Sequence, residues 1–469
     1  MTTHATQTAC GKGKKAGMTQ RETIRFAVVI ALLLVCGTSA VTAQVRHLKL
    51  QEAVRMAIQQ NRSLKIARLK VKESEARKSM ARSDYFPVIT NQSNALHISE
   101  LQNIILPAGT LGTAAGSAIP PVDVSVAQGK QTLYSSGTMI AQPLTQLLRV
   151  HHENRAAAAE VASSQYELKN AEDQIALEVH TLYFGILVAQ LQRKAAEQET
   201  SFATESLREN ENDVRHGSAL KVAVIQSRAE FLEGQQSVLT AALQIEDYTT
   251  ELNDLLGLPL DTKLELDPEV TVDLPTLTKA EYLKEAWAEN PKIRSAEESV
   301  GKARAGLGAA KTAYIPDITA FARHSYQDGV PFLVRNFGTF GVSMSYTLWD
   351  FGKRRANVSE RSTQLAEAEQ NLERLKEEVA VQVERSYNKL ERTKSMVNVA
   401  AEVAALREES ERLATDHEAQ GVVLISDVRH ATAANYRAKA DLLQARLGYA
   451  LAYAELEQTI GHAPGLGTP

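Results

Sequence analysis

The sequence predicts a mainly α-helical protein with membrane-spanning β-strands, built from two copies of one structural unit. Three observations predict this fold class. The segments 85–90 (YFPVIT) and 314–319 (YIPDIT) are nearly identical, long proline-free stretches follow each of them, and the segment 337–349 (FGTFGVSMSYTLW) alternates apolar and polar residues. Internal repetition, helices longer than a globular domain needs, and period-two segments of bilayer length indicate this architecture together.

The overall composition favours long helices and gives no sign of a nucleic-acid partner. Hydrophobic residues make up 44% of the chain, charged residues 23% and aromatic residues only 5%. Alanine, glutamate, leucine and arginine are abundant, a bias typical of long helices. The net charge is −4, so neither sign dominates, and we expect no nucleic-acid binding.

The N-terminal segment has the pattern of a secretory signal. Arg21 and Arg25 precede the apolar run FAVVIALLLV at 26–35, and small residues follow at Val41 and Ala43. A basic flank, a short apolar core and small residues at these positions predict a signal peptide at 1–43, cleaved before Gln44. The apolar run is too short to cross a bilayer as a helix.

Two alternatives for the N-terminus stay open. Met18 is a second possible start, and Cys36 is a possible lipidated first residue, although Val35 stands where such a site prefers a small residue. The only other cysteine is Cys10. Cleavage before Gln44 would therefore leave a mature chain without cysteine, and neither disulfides nor thiol chemistry is expected.

The duplication can be followed along most of the chain. An offset of 229 residues pairs Asn61 with Asn290 and Pro87 with Pro316. Beyond the first 140 residues an offset of 204 takes over, so the first copy carries 25 extra residues, for which 105–121 (ILPAGTLGTAAGSAIPP) is the obvious insert. Positions paired by the second offset include Tyr183 with Tyr387, Gly217 with Gly421, and Leu252 with Leu456. The predicted organisation is repeat 1 at 44–257, a linker at 258–278, repeat 2 at 279–461 and a tail at 462–469.

Each repeat is predicted to contain a helix, a β-hairpin and then long helices. The first helices are predicted at 50–84 and 279–313, each ending before a proline. The hairpins are predicted at 88–142 and 317–348. No proline occurs at 144–258 or 332–463, where apolar residues recur with coiled-coil spacing. Tight turns are expected at Gly217 and Gly421, and the helix that ends at Gly217 would be roughly 100 Å long.

The hairpins have the length and alternation of membrane strands. Phe340, Val342 and Met344 lie on one predicted face, whereas Ser343 and Ser345 lie on the other. A small soluble sheet would show the same alternation, but the export signal and the absence of a globular core around the strands favour a membrane. Four strands cannot close a barrel, and an open edge cannot face lipid, so several chains would have to share one barrel. Both ends of each hairpin continue into helices, which places all helices on one side of the membrane.

The sequence resembles the TolC-like outer-membrane efflux channel family over about residues 48–460. The resemblance rests on LQEAVRMAIQQNRSLKIARLKV, the two YxPxIT segments, YTLWDFGKRRANV and GVVLISDVRHATAANYRAKADLLQARLGYALAYAELEQTIG, in their order, duplication and spacing. It implies a homotrimer with a 12-stranded β-barrel in the Gram-negative outer membrane, continued by a long α-helical barrel across the periplasm. It also implies a periplasmic adaptor protein and an inner-membrane pump as partners, with 258–278 and the C-terminus in an equatorial region.

The same resemblance places a gate at the helix turns. Gly217 and Gly421 match the family's periplasmic tips, and it implies that Ala219, Leu220, Val423 and Leu424 contact the adaptor. Acidic residues after the second turn narrow the aperture in the family. Asp427 keeps one of them, but His430 stands where a second is expected, and Val423 replaces a bracing arginine. We therefore expect the gate here, with different chemistry.

Other motifs do not indicate catalysis or a bound cofactor. The HHE segment at 151–153 lacks a third ligand nearby and is interpreted as structural or surface histidines rather than a metal site. The segments GKGKKAG and GLGAAK resemble phosphate loops, but the first precedes the apolar core of the signal, and the second lies inside a predicted helix with no preceding strand. We find no HExxH motif, nucleophile elbow or cysteine nucleophile in a mature chain cleaved before Gln44, so the sequence predicts no enzyme, cofactor or metal.

The favoured function is a passive outer-membrane exit duct for small toxic compounds in a tripartite efflux system. Within the family, the alternatives are a duct for type I protein secretion or for metal-ion efflux. From a different class, the alternative is an exported coiled-coil structural or adhesive protein. The sequence names neither the cargo nor the particular pump and adaptor.

Overall fold

The structure is a computed structural model, and it describes residues 46–268, 277–330 and 333–464. The predicted signal peptide at 1–43 lies outside the described residues, as do linker residues 269–276 and the end of the tail at 465–469. The structure therefore does not address the cleavage site or the possible lipidation of Cys36.

Helices dominate the described chain, and they occur in the predicted order. The elements of the first repeat, in chain order, are β1 (Arg46–Leu48), α1 (Leu50–Gln60), α2 (Arg62–Ser83), β2 (Val88–His97), β3 (Asn103–Leu106), β4 (Thr113–Ala114), β5 (Ser117–Ala118), β6 (Val124–Ala127), β7 (Thr132–Pro143), α3 (Leu147–His216) and α4 (Lys221–Leu256). The linker and second repeat contain β8 (Leu264–Leu266), α5 (Lys279–Glu289), α6 (Pro291–Thr312), β9 (Asp317–Asp328), β10 (Asn336–Ser345), α7 (Lys353–Ala419) and α8 (Ile425–Ile460).

The long helices are continuous, which confirms the prediction from the proline-free stretches. Helix α3 has 70 residues and α7 has 67, so each is about 100 Å long at 1.5 Å per residue. Helices α4 and α8 each have 36 residues and run back along them. Each repeat thus forms a long antiparallel helical hairpin that turns at its far tip.

The prediction of single helices at 50–84 and 279–313 is wrong, because each is interrupted by an asparagine. Asn61 has a non-helical backbone (φ −56°, ψ 131°), and its side-chain oxygen accepts hydrogen bonds from the N–H groups of Ser63 and Leu64 at 2.8 and 3.2 Å. Asn290 does the same for Lys292 and Ile293. Both asparagines are therefore N-caps that end one helix and start the next.

The two capping asparagines also fasten the chain to the ends of the return helices. The Asn61 side-chain amide donates to the carbonyl of Leu255, and the Asn290 amide donates to that of Thr459, at 3.4 and 2.8 Å. Just beyond, α4 and α8 end at left-handed glycines, Gly257 (φ +68°) and Gly461 (φ +96°), which suit this backbone because they lack Cβ. The helix break and its anchor are thus duplicated together.

Four strands form one antiparallel sheet with the order β10-β9-β7-β2. The registers pair Phe340 with Ala322, Ala322 with Ile140, and Ile140 with Ile89, so one face carries a continuous apolar row across all four strands. Farther from the helices, the residues on this face are polar. There the Asn91 side-chain amide donates a hydrogen bond to the Thr138 hydroxyl at 2.8 Å. Strands β2 and β10 are the two edges, and within the described chain their outer backbone groups have no strand partner.

The second hairpin is shorter than the predicted 317–348. Strand β10 ends at Ser345, because the chain turns toward α7 around Asp350. The Asp350 carboxylate accepts a hydrogen bond from the Arg354 side chain at 2.7 Å, and Arg354 donates to the Thr347 carbonyl at 2.7 Å. Trp349 and Phe351 lie exposed on this turn, at the junction of sheet and helices. Aromatic residues are enriched at the interface between membrane and water.

The insert in the first hairpin is ordered rather than an irregular loop. Strand β3 pairs with β6, and the shorter β4 pairs with β5, so the insert forms a slender hairpin beyond the main sheet. Its apolar side chains Ile105 and Leu111 are exposed in the single chain.

The hydrophobic core lies around the middle of the helices, where the two repeats meet. One cluster centres on α3 and includes Val179, Tyr183 and Leu252, and another joins α5, α7 and α8 around Val383. The Tyr183 hydroxyl bonds to the backbone of Leu48 and Asp267 at 2.9–3.0 Å, which ties the parallel pair β1–β8 to α3. Strand β8 of this pair consists of linker residues 264–266. Part of the linker therefore packs beside the core at the middle of the helices.

Among the described helices, α3 alone is long and apolar enough to cross a membrane by length and composition. Half of its most apolar window is buried inside the chain. We therefore interpret it as the central helix of the core.

Candidate functional site

The candidate site consists of the two helix turns farthest from the sheet. We call residues 217–224 the first tip and residues 421–430 the second tip. The first tip joins α3 to α4, and the second joins α7 to α8.

The first tip is a tight turn built on a left-handed glycine. Gly217 has φ +77°, and its N–H closes the end of α3 on Val214. The backbone N–H and hydroxyl of Ser218 both donate to the Asp213 carbonyl, at 2.8 and 2.9 Å. Leu220 is extended and directly precedes α4. The turn has its own capping bonds and does not need a partner to form.

The second tip repeats this turn with one additional carboxylate. Gly421 has φ +72°, and its N–H donates to the Glu418 carbonyl at 2.8 Å. Leu424 precedes α8, and its N–H donates to the Asp427 carboxylate at 3.1 Å. Asp427 is exposed. It therefore caps the helix and also places a negative charge near the helix N-terminus, where the helix dipole stabilises it.

The tips present apolar side chains to solvent. Leu220 is 76% exposed and Leu424 is 64% exposed, whereas Ala219 and Val423 are half-buried. Four further apolar residues near the two turns are exposed and were not among the predicted contact residues, although each follows a polar turn in the sequence. They are Val222, Ile225, Val422 and Ile425. Exposed apolar clusters of this kind mark surfaces that other proteins cover.

His430 links the second tip to the first repeat. Its ring lies edge-on to the Phe202 ring of α3, with 5.2 Å between centroids. Two helical turns farther along α8, Arg437 forms an ion pair with Glu199 of α3 at 3.1 Å. The structure thus brings His430 against α3, a contact across 228 residues that no local sequence pattern could reveal.

Two buried titratable groups lie on one face of α3, well above the tips. Asp173 is 2% exposed, and its Oδ2 has no hydrogen-bond partner within the described residues. Burial raises the pKa of this carboxyl to about 7, an effect opposed by Lys169 and reinforced by Glu172. The His180 Nδ1–H donates a hydrogen bond to the Ala176 carbonyl at 2.8 Å, and burial lowers the pKa of His180.

The HHE segment serves helix packing. The His152 ring lies against the backbone of Gly308, where a Cβ would come within 2.5 Å of the imidazole. His151 contacts the His152 ring edge-on at 5.7 Å between centroids. Across the described parts of the chain, no group of three or more His, Cys, Asp or Glu residues is arranged to hold a metal ion.

The sequence profile described as "Outer membrane efflux protein" matches residues 53–258 and 282–462, which is most of the chain. The chain belongs to the outer membrane efflux protein family. The two matched stretches leave out the linker region between α4 and α5.

Similar proteins include an efflux protein and two membrane proteins of known structure. The chain is 23% identical over 306 residues to the solvent efflux pump outer membrane protein SrpC of Pseudomonas putida, covering 64% of this chain and 61% of SrpC. A membrane protein from Pseudomonas aeruginosa is similar in structure, with a TM-score of 0.71 and 17% identity over 89% of this chain and 91% of that one. The Campylobacter jejuni CmeC outer membrane channel has a TM-score of 0.69 with 15% identity, covering 89% and 87%. The match thus spans about three fifths of the curated relative SrpC.

Family membership confirms the predicted fold and location. This outer membrane efflux protein has the TolC-like fold, with long helices and a small sheet, and it is a protein of the Gram-negative outer membrane. The family is one of channels and efflux ducts, not of enzymes.

Proposed function

We propose that this outer membrane efflux protein is the exit duct of a tripartite efflux system and passively exports small toxic compounds. Three copies of the chain would share a barrel of twelve strands, four from each, and their helices would form a tunnel across the periplasm. The name of the similar protein SrpC, a solvent efflux pump outer membrane protein, supports small organic compounds as the cargo class.

The open sheet is the observation that carries this proposal. Its edges, β2 and β10, lie on opposite sides of β7 and β9, and within the described chain they pair with no other strand. Unpaired backbone groups cannot face hydrocarbon, because each would cost several kcal/mol, so a sheet in a membrane must close. A four-stranded sheet closes only with strands from further copies. Rotational symmetry then gives a ring in which each β10 pairs with the next chain's β2.

The long helices give the duct its reach. All four main strands connect to helices at the same end of the sheet, at Val88, Pro143, Asp317 and Ser345. The helical hairpins therefore extend about 100 Å on one side of the membrane. A length of this order lets the tips meet a partner in the periplasm rather than the membrane surface.

The exposed apolar residues at the tips support docking of a periplasmic adaptor protein, which would connect the duct to an inner-membrane pump. We infer that Leu220 and Leu424 make this contact, with Ala219 and Val423 supporting them from half-buried positions. Both turns form by internal hydrogen bonds, so the apolar side chains are held out in a fixed arrangement. Fixed apolar anchors reduce the entropy lost on binding.

We place the gate at the same tips, around Gly217 and Gly421. Three copies of Asp427 around one axis would form a negatively charged ring that favours cations. His430 lies against Phe202 of α3, so it supports the position of α8 beside α3. The gate would then depend on the α3–α8 contact as well as on the ring.

Conductance in planar lipid bilayers tests the proposal. The purified protein should insert and give discrete, cation-preferring current steps, and deletion of its gene should make the native strain more susceptible to organic solvents. A protein that never conducts, in preparations that contain folded protein by circular dichroism, would contradict a duct. Unchanged susceptibility to solvents together with lost secretion of a protein, or with metal sensitivity, would favour the alternative cargoes. The family match argues against an exported structural coiled coil.

A further inference from the structure

The insert hairpin has one wholly apolar face. Strands β3 and β6 pair antiparallel, with Ile104 opposite Val126 and Leu106 opposite Val124. Directly paired residues lie on the same side of a sheet. These four side chains therefore form one face, which we call the insert face. The opposite face is mixed, and it contains Asn103, Ile105, Ser125 and Ala127.

The insert face is partly exposed in the single chain, and the insert carries little charge. Ile104 is 51% exposed and Val124 is 38% exposed, whereas Leu106 and Val126 are half-buried. No charged residue occurs at 101–122, and the next one, Asp123, is occupied by a hydrogen bond from the Ala108 N–H at 2.8 Å. An ordered apolar face without charges is unfavourable in water and offers nothing to a phosphate-bearing lipid headgroup. Its chemistry fits an apolar protein surface.

The position of the insert indicates where that surface is. Strand β3 begins six residues after β2 ends at His97, so the insert rises from one edge of the sheet. The other edge, β10, begins at Asn336, and the exposed apolar residues Leu333 and Val334 precede it, separated from it by Arg335. Arg335 forms an ion pair with Asp328 at 3.3 Å. Strand β2 runs away from the helices and β10 runs toward them. In a closed ring the outer end of β2 in one copy therefore lies beside the outer start of β10 in the next copy.

We propose that the insert face binds a second copy of this chain, covering Leu333 and Val334 at the tip of that copy's second hairpin. This contact would fasten each inter-chain seam of the barrel at its outer end, where the strand ladder stops. The proposal rests on the shared barrel of the proposed function. Each seam joins the β2 edge of one copy to the β10 edge of the next. One insert per chain, beside β2, is therefore enough for every seam, which explains why the insert occurs only in the first repeat.

Cysteine cross-linking in intact cells tests this contact. The only natural cysteines, Cys10 and Cys36, precede the predicted cleavage site. After oxidation, Ile104→Cys combined with Val334→Cys should give disulfide-linked dimers and trimers that survive boiling in SDS and disappear on reduction. Treatment of the reduced protein with a short bifunctional maleimide should give the same products, which then persist on reduction because their thioether bonds are not cleaved. The matched control, Ile105→Cys with Val334→Cys, places the first thiol on the opposite face. This control pair should form much less of the cross-linked product.

The outcomes separate this inference from the proposed function. Unboiled samples report the non-covalent trimer independently of any cross-link. Normal trimers without a cross-link at 104 and 334, or with equal cross-linking in the Ile105→Cys control, would overturn the seam contact and leave the duct intact. Absence of trimers from the unboiled wild-type protein would overturn both. As a second measurement, Ile104→Asp should lower the temperature at which trimers dissociate in SDS, and Ile105→Asp should not.

Discussion

The two long helices α3 and α7 occupy equivalent places in the two repeats but differ greatly in burial. Helix α3 has 17 buried residues along its 70, whereas α7 has 5 along its 67. At paired positions, Ala195 is 7% exposed and Val399 is 63% exposed. Duplicated sequences of equal length would be expected to bury similar surfaces. The difference indicates that the packing of α3 is completed within one chain, whereas the exposed side of α7 needs contacts with further chains.

The exposed side of α7 has the chemistry of an interface. Between α7 and α8 lies a groove of about 720 Å³, whose lining includes Met396, Val399 and Val403. Apolar residues along a helix at this spacing favour packing against another helix. In the proposed trimer, a neighbouring copy would cover this groove, and the burial of the two repeats would become more alike.

The largest expected effect comes from charging this exposed side. Val399→Glu should abolish SDS-resistant trimers, because an unpaired carboxylate buried between helices costs about 3 kcal/mol or more in each chain. The adjacent exposed Asn398 provides the matched control, since Asn398→Glu adds the same charge on another side of the helix. Gel migration of unboiled samples measures the result. Equal trimer yield for the two variants would mean that α7 faces solvent in the assembly.

The second largest effect tests the two equivalent glycines, Gly257 and Gly461, that end α4 and α8. Gly461→Ala should destabilise the protein by about 2–5 kcal/mol, from left-handed backbone plus a clash, since the added Cβ would lie 2.5 Å from the Glu289 carbonyl oxygen. Gly257→Ala should cost only about 1–2 kcal/mol, because its nearest neighbour would be Gln60 Cβ at 3.3 Å. Urea unfolding followed by circular dichroism in detergent gives both values. The reverse order would show that the two anchors are packed differently from the structure.

A smaller effect distinguishes α3 from α7 through the pH dependence of the protein's stability. The pKa of Asp173 is about 7 in the folded protein, against an ordinary value of 3.8, so the folded state holds this proton more tightly. Stability is therefore highest below about pH 4 as far as this group is concerned, falls as the pH rises toward 7, and then levels off. Between pH 5 and pH 8 the loss should be about 2–3 kcal/mol.

Asp173→Asn should remove most of this pH dependence. The equivalent residue in α7 is Glu377, which is exposed, so Glu377→Gln should leave the pH profile unchanged. Unfolding midpoints at pH 5, 6.5 and 8 distinguish the two. A wild-type protein whose stability does not fall over this range would contradict the burial of an ionisable Asp173.

The smallest effect concerns the difference between the two tips. Asp427→Asn retains an acceptor for the Leu424 N–H but removes the charge, so cation preference in bilayers should fall, by less than about tenfold. Ala223→Asp would place an acid at the equivalent point of the first tip and should raise this preference. Reversal potentials in a salt gradient measure both. If neither substitution moves the reversal potential, the selective region lies elsewhere in the tunnel.

Much of the fold was predictable because it follows local patterns. The absence of proline predicted the long helices, and the alternation around Val342 predicted β10. The breaks at Asn61 and Asn290 were missed, although Pro291 directly after an asparagine is itself a helix-start signal. Helical composition on both sides outweighed that signal.

The site was predictable in position but not in contacts. Glycine and its polar neighbours located both turns, whereas the contact of His430 with Phe202 depends on how α3 and α8 pack over a long sequence separation. The burial of Asp173 has the same origin, since its neighbours Lys169 and Glu172 suggest a solvated surface.

The number of chains in the detergent-extracted protein tests the central claim most directly. Native mass spectrometry of the protein purified from outer membranes, without cross-linking, reads that number from the intact mass. The open sheet and the unequal burial of α3 and α7 require more than one chain, and the resemblance to TolC-like channels implies that three mature chains form one particle. A particle that contains a single chain, with its helices folded, would contradict the shared barrel and with it the proposed duct.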